Sequence, residues 1–298
     1  MDKVLLTGAS GFLGKVIQHE LNNVHFITLG RSAGNQVVVD LSRSVPSLPP
    51  VDSVIHASGL AHIIPLSEQE EARFYDINVT GTNNLLSALE LLNPVLEKFV
   101  FISSVAVYGR ESGTGITEEA PLAGTSSYAK SKIECEKIIA DWCLKNQVCL
   151  SIVRLPLLVG KGAPGNLGRM LKVIKEGWYV GVGSGSARKS MVLASDVARF
   201  IPVVSAKGGI YNLTDGVHPS MREFEIALSQ RLGKRQPFRF PPTLLKGAAR
   251  VGDWLGAWFP LNSSRLNKLT ASLTFSDVKA RQIGWQSRSV IEHLPPDL

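Results

Sequence analysis

The chain has 298 residues, 44% hydrophobic and 19% charged, which is enough to bury a sizeable core and too apolar for a disordered chain. Its three cysteines, Cys135, Cys143 and Cys149, are odd in number and form no C-x-x-C pair, so neither a disulfide framework nor a metal site is expected. The net charge of +7 is uneven: residues 1–150 hold 11 basic against 16 acidic side chains (−5), and residues 151–298 hold 21 against 9 (+12). No long Lys/Arg cluster is interleaved with aromatics in the basic half. It therefore reads as solvated surface or as a binder of a phosphorylated small molecule, with no nucleic acid. The first apolar run, VLLTGASGFLG from Val4, is broken by glycines and lacks the layout of a signal peptide. No stretch approaches the roughly 18 apolar residues of a membrane span, so a soluble, cytoplasmic protein is the expectation.

In chain order, residues 3–7 (KVLLT) predict a short buried strand, followed by a glycine-rich turn and a helix from Phe12 to Leu21. Strand-like runs recur at Val24–Leu29, Gln36–Val39, Ser53–His56, Lys98–Ser103 and Val148–Arg154. Helical patterns lie between several of them, notably over 71–92 and 125–146. Such alternation predicts an α/β fold, a Rossmann-type doubly wound parallel sheet wrapped by helices. Beyond residue 160 the pattern loosens into glycine-rich loops at 160–168 and 181–190 and a break at Pro237, Pro241 and Pro242. The expected organisation is a dinucleotide-binding domain over 1–160, with a strand and helices returning near 190–215. A smaller lobe, mainly for substrate, then covers 161–298 and lies over the carboxyl edge of the sheet, where open α/β sheets bind ligands.

The turn Thr7-Gly8-Ala9-Ser10-Gly11-Phe12-Leu13-Gly14 carries G-x-x-G-x-x-G directly after a strand and opens a helix. Gly8 and Gly11 let the backbone turn sharply and approach a pyrophosphate, while the N–H groups of Ser10, Phe12 and Leu13 face the anion. Gly14 lets the helix lie close on the strand. The second strand ends in Gly30-Arg31-Ser32, with no acidic residue where one would bind the free ribose hydroxyl of NAD. Arg31 and Ser32 favour NADP(H) over NAD(H), the alternative being an ordinary surface arginine. Asp40-Leu41, after the third strand, is placed to meet the adenine edge or to close a solvated turn.

Tyr128 and Lys132 stand four apart on a predicted helix, hence on one face. A nearby ammonium stabilises a phenolate and lowers its pKa, so Tyr128 can exchange a proton with a hydroxyl while hydride moves to or from nicotinamide. Upstream, a buried-type strand ends in Ser103-Ser104-Val105-Ala106-Val107-Tyr108-Gly109, where a serine hydroxyl can hold the reacting oxygen.

Together, TGxxGxxG, SSVAVYG and YAKSK resemble the extended short-chain dehydrogenase/reductase family. This is the NAD-dependent epimerase/dehydratase group of nucleotide-sugar epimerases, dehydratases and 4-reductases. Other positions resemble it as well: His56-Ala57-Ser58 after the fourth strand, Asn78 in NVTGT, and Arg154-Leu155-Pro156. The resemblance implies catalytic roles for Ser104, Tyr128 and Lys132, with Ser103 beside the substrate. It also implies cofactor contacts at His56, Ala57, Ser58, Asn78, Lys132 and Pro156, and a homodimer built on the helices at 78–92 and 128–143. Family dehydratases carry an acidic pair where this chain has Val105 and Ala106, so epimerisation and reduction remain. Arg188 and Lys189, in RKSMV before Asp196, resemble the family's basic contact to a nucleotide-diphosphate sugar, and this stretch is similar to 4-keto-sugar reductases acting on UDP-linked 2-acetamido sugars in polysaccharide synthesis. The favoured reading is reduction of a 4-keto group; a 4-epimerase and a non-catalytic NADP-binding regulator are the alternatives. The segment 244–259, with Trp254 and Trp258 four apart and Lys246 and Arg250 nearby, reads as lobe packing, the alternative being an amphipathic helix touching a membrane; membrane association is not the favoured expectation.

Overall fold

The computed structural model describes residues 3–63, 65–92, 96–240, 263–296 and 298. The first half of the chain lays down β1 (Lys3–Thr7), α1 (Phe12–Glu20), β2 (His25–Gly30), β3 (Val37–Val38), β4 (Ser53–His56), α2 (Glu68–Phe74), α3 (Gly81–Glu90), β5 (Lys98–Ser104), β6 (Gly113–Ile116) and α4 (Ser127–Lys145). The second half adds β7 (Cys149–Leu155), β8 (Leu157–Val159), α5 (Gly165–Glu176), β9 (Val180–Gly181), β10 (Met191–Leu193), α6 (Ala194–Lys207) and β11 (Gly209–Asn212). It closes with α7 (Met221–Arg231), β12 (Phe238–Arg239), α8 (Ser263–Thr270), β13 (Leu273–Phe275) and α9 (Val278–Gln282). Seven strands form one parallel sheet in the order β11-β7-β5-β4-β1-β2-β3, the doubly wound Rossmann arrangement.

Both faces of the sheet are covered, which is why its strands are continuous apolar runs rather than alternating ones. On one face α1 and α6 bring Leu13, Ile17, Val197 and Ile201 onto β1, β5 and β7. On the other, α3 and α4 bring Leu85, Leu89, Ile139 and Trp142 onto Leu5, Phe99 and Phe101. Each such side chain taken out of water contributes about 1.5–3 kcal/mol, so the sheet is held from both sides and its carboxyl edge is a rigid platform.

The pattern over 71–92 predicts one helix, but the structure contains two joined by a π-turn at Tyr75–Thr80. The widened ladder leaves the Asn78 carbonyl to accept from the Thr82 hydroxyl (2.6 Å) and the Cys135 thiol (3.3 Å). Side-chain donors thus replace part of the backbone pattern, which apolar periodicity does not register. α2 starts earlier than the apolar pattern, at a Ser67 cap whose Oγ accepts from the Glu70 amide.

After residue 160 the lobe packs around Phe224, Leu228, Ile174, Met191 and Val290. Three short parallel pairs, β8 with β10, β9 with β12 and β6 with β13, brace it. α6 and β11 return to the sheet. Ala280 and Trp285 return as well, anchored by a hydrogen bond from Trp285 Nε1 to the Thr214 carbonyl (2.9 Å). The segment 244–259 lies outside the described residues, and among those described no helix is long and apolar enough to cross a membrane.

The close approach of α1 to β1 generates a test. A Cβ at Gly14 would overlap the Gly8 carbonyl oxygen and stand 2.8 Å from Ala9 Cα, and backbone atoms cannot swing aside. Gly14→Ala is expected to cost about 1–3 kcal/mol, seen as an earlier urea midpoint with an unchanged slope.

Candidate active site

A cleft of about 510 Å³ opens at the carboxyl ends of β1, β4, β5 and β7, and its walls include the glycine turn, Ser104, Tyr128, Lys132 and Pro156. Gly8 sits at φ +72°, and a Cβ there would come within 2.8 Å of the Ala57 and Ser58 backbone, so only glycine fits this crossing of two chain segments. The Gly11 amide closes the turn on the Gly8 carbonyl at 2.9 Å. Gly11 is then the N-cap of α1, offering no capping side chain, and the first turn carries no acidic residue. The leading N–H groups of α1 are left to an external acceptor, so the turn is a cradle for an anion. A dinucleotide's pyrophosphate fits it; Gly8, Gly11, Phe12, Leu13 and Gly14 line the cleft, and Ser10 is exposed at the tip.

Ser104 ends β5 in an extended conformation, and its Oγ caps the short 3-10 turn Val105–Tyr108 by accepting from the Ala106 amide. Burial pushes the Tyr128 phenol's pKa up, and the neighbouring Ser104 hydroxyl pulls against it. Lys132 is buried, donates to the Ile102 carbonyl at 2.9 Å and lies 4.6 Å from the centre of the Phe101 ring. Burial lowers its pKa, while Cys135 and Glu136 act in the opposite sense. The sequence predicts that Lys132 lowers the tyrosine pKa. In this arrangement the phenol stays protonated, because desolvation outweighs the pull of Ser104 and the ammonium is committed to Ile102.

Ser103, expected beside the substrate, is among the residues that line the cleft, while its hydroxyl donates to buried Glu136 at 2.5 Å. Glu136 lies four residues after Lys132 on α4 and accepts two hydrogen bonds from Arg154, at 3.0 and 2.7 Å. Arg154 also donates to the Tyr108 hydroxyl (3.0 Å) and the Glu118 carbonyl (3.2 Å), and Tyr108 donates to Asn212 on β11 (2.7 Å). Burial works against the charge of Arg154, but its bonds to Glu136 prevail and raise its pKa. The stripe 128, 132, 136 was the available sequence signal for Glu136, since all three fall on one helical face.

His56, expected at the cofactor, is also turned inward. One ring nitrogen meets the Thr7 hydroxyl at 2.7 Å and the other the Thr82 hydroxyl at 3.0 Å. Burial, helped by the Lys132 charge, pushes its pKa down to about 3. Its neighbours Ala57, Ser58 and Gly59 line the cleft in its place. Asn78 supports rather than lines the site: its side chain accepts from the Leu60 amide (2.6 Å) and donates to Ser131 (2.8 Å) and the Leu60 carbonyl (3.2 Å), pinning the loop at Gly59.

Arg31 and Ser32 are exposed at the end of β2, and Asn35 donates to Ser32 Oγ at 2.8 Å. Asp40 accepts from the Ser42 hydroxyl and amide, and these bonds, with the Arg31 charge adding to them, lower its pKa despite some burial. The Leu41 side chain is in the core and its carbonyl accepts from Asn84. Arg188 and Lys189 do not line the cleft. Arg188 donates to the His218 carbonyl (3.0 Å), and half-buried Lys189 has its amide on the Pro219 carbonyl (3.2 Å). The sequence reading missed His62, Pro164 and Asn166, which line the cleft from the loop after Gly59 and the start of α5; their residue types carry no spacing signal.

Two stability outcomes follow from these buried groups. Between pH 3 and the ordinary His value of 6.5, the unfolded chain binds the His56 proton and the folded chain does not, so stability rises with pH there and is lost on acidification. His56→Asn should flatten that slope in chemical melts across the window. Arg154→Met leaves Glu136 buried without its partner and should cost about 3–5 kcal/mol, measured as a loss in unfolding free energy at neutral pH.

The family model for the NAD dependent epimerase/dehydratase family matches residues 4–214. The chain is 26% identical to N-acetyl-alpha-D-glucosaminyl-diphospho-ditrans,octacis-undecaprenol 4-epimerase of Escherichia coli O157:H7, over 95% of this chain and 90% of that protein. Among solved structures it resembles RMD from Pseudomonas aeruginosa complexed with NADPH, with a TM-score of 0.71 at 21% identity, covering 98% and 96% of the two chains. It also resembles UDP-glucose 4-epimerase of Thermus thermophilus in complex with NAD, with a TM-score of 0.71 at 21% identity, covering 96% and 94%. At these identities the structures speak to the fold, whereas the family model covers most of the chain. The chain belongs to the NAD dependent epimerase/dehydratase family.

Proposed function

We propose that the protein inverts the C4 hydroxyl of a sugar linked to a diphosphate, using a bound nicotinamide dinucleotide. The observation that carries this reading is the convergence of Ser104, Tyr128 and Lys132 in one cleft with an anion cradle at α1. It is supported by the similarity, along nearly the whole chain, to an epimerase of an N-acetylglucosaminyl diphosphate. Val105 and Ala106 supply no acid for the elimination of water.

The nicotinamide ring, when bound, supplies an acceptor and donor of hydride. The α1 turn would hold the pyrophosphate, Pro156 would border the ring, and Lys132 would reach the adjoining ribose. Ser104 Oγ would orient the sugar's O4, and Tyr128 would take the O4 proton as hydride leaves C4 and return it when hydride comes back on the other face. Taking the proton requires Lys132 to turn its charge toward the phenol, because in the present arrangement the phenol is held protonated.

Exposed Arg31 at the end of β2 favours a second reading: reduction of a 4-keto nucleotide sugar with NADPH, in which Tyr128 first donates. The two separate cleanly. With UDP-N-acetylglucosamine or an N-acetylglucosaminyl diphospho-polyprenol, NMR should show the C4 epimer forming with no net change in nicotinamide absorbance. Net oxidation of NADPH by a 4-keto sugar without epimer formation would replace the first reading with the second. Tyr128→Phe is expected to retain cofactor binding and lose at least about 100-fold in kcat; full activity in that variant would remove Tyr128 from the chemistry.

A further inference from the structure

Beyond the far end of α5 from the cleft, one surface of the lobe is aromatic, and exposed cations stand close to it in the chain. β9 and β12 pair in parallel, with Phe238 opposite Val180 and Arg239 opposite Gly181. The two-residue period of a strand puts Val180 and Phe238 on one face, and Trp178 and Phe240, each two residues along, extend it. Val180, Phe238, Trp178 and Phe240 are 40%, 66%, 79% and 44% exposed, respectively, and Phe238 and Phe240 meet edge to face at 5.4 Å. The opposite face is anchored: the Arg239 guanidinium pairs with buried Glu225 and donates to the Val182 and Gly183 carbonyls. The aromatic side chains are therefore held outward on a fixed ribbon.

Lys172 and Lys175, on the last turns of α5 and six and three residues before Trp178, and Lys234 and Arg235, four and three residues before Phe238, are all exposed. Glu176 is the acidic neighbour on α5, and it stands 4.0 Å from Lys172. Exposed Trp and Phe beside Lys and Arg match the chemistry of a bilayer interface, where rings enter the headgroup region and cations meet lipid phosphates. A large apolar cluster of this kind on a soluble surface marks an interaction site.

Its position matters for the cleft. α5 has 12 residues, about 18 Å of helix. It starts beside Pro164 and Asn166, which line the cleft, and ends at Gly177, next to Trp178.

We propose that the Trp178–Val180–Phe238–Phe240 face docks on an anionic phospholipid bilayer, setting the cleft about one short helix from the membrane so that a sugar diphosphate carried on a lipid can enter it. The lipid-linked substrate rests on the activity proposed above; the docking itself does not. It departs from the sequence expectation, which weighed membrane contact only at 244–259, because the ribbon's face is created by pairing two segments far apart in the chain.

The test is sedimentation of the full chain with vesicles of phosphatidylcholine alone and with about 30 mol% phosphatidylglycerol. Expected is binding to the anionic vesicles that weakens with salt, a loss of about tenfold in Trp178→Ser/Phe238→Ser, and a comparable loss in Lys234→Glu/Arg235→Glu. Both variants should keep the wild-type rate on a soluble nucleotide-linked sugar and the wild-type melting temperature. Equal binding to the two vesicle types overturns the proposal, as does wild-type binding by the charge-reversed variant, which keeps the assay decisive if the aromatic variant misfolds. Capture of a protein partner in place of lipid by this face counts against it too. If vesicle binding and its loss stand while no sugar is turned over, the docking survives and the activity reading falls.

Discussion

The arrangement of the cleft depends on a buried ion pair that never faces the substrate side. Glu136 and Arg154 are almost fully removed from water, where an unpaired charge would be prohibitive, so each must stay where the other is. Around them the pair gathers the last residues of β5 through Ser103, the middle of α4 through Glu136, β7 through Arg154 and β11 through Tyr108 and Asn212. Four elements that are distant in the chain are thereby fixed at one point behind Ser104. Tyr128 and Lys132 ride on the same helix as Glu136, two turns and one turn before it, and inherit its position. Hydrophobic contacts hold α4 against the sheet, but they are non-directional; the charged pair sets the rotation and the register at which the helix presents its phenol.

The opposite wall of the cleft is built on a different principle, the absence of side chains. Gly8 and Gly14 allow β1, α1 and the loop after β4 to come within backbone contact, and this closeness exposes the start of α1 to an anion. Charged groups organise one side of the site and bare backbone the other. Their meeting at the carboxyl edge of a sheet covered on both faces gives a rigid floor, with mobility left to whatever enters.

The parallel sheet was legible because strands buried on both faces leave uninterrupted runs such as FVFIS, separated by helical patterns of ordinary length. The glycine turn and the Tyr128/Lys132 spacing were legible because backbone approach and a helical face each impose a residue type at a fixed interval. Ser103 and His56 are placed at the ligand by resemblance; Ser103 borders the cleft with its hydroxyl turned inward to Glu136, and the His56 ring is in the core. Nothing local distinguishes a serine facing a cleft from one facing Glu136 across 33 positions, or a histidine facing a cofactor from one wedged between Thr7 and Thr82. Arg188 and Lys189 lie outside the cleft lining for a similar reason, since they are bonded to the segments around His218 and Leu273. The seam between α2 and α3 was invisible because apolar spacing records which side chains are buried and is blind to how many residues a turn contains.

That seam has a mechanical meaning. A π-turn is one residue added to a helix, and in a helix one residue is about 100° of rotation. Upstream of Tyr75–Thr80, Phe74 meets the Tyr128 ring edge-on at 6.2 Å; downstream, Leu85 and Leu89 meet the sheet. Without the extra residue these two surfaces would belong to one continuous phase, and satisfying one would swing the other away. The seam works as a fixed angular offset between a helix that serves the site and a helix that serves the core, so the two can vary in sequence independently as long as their junction keeps its length.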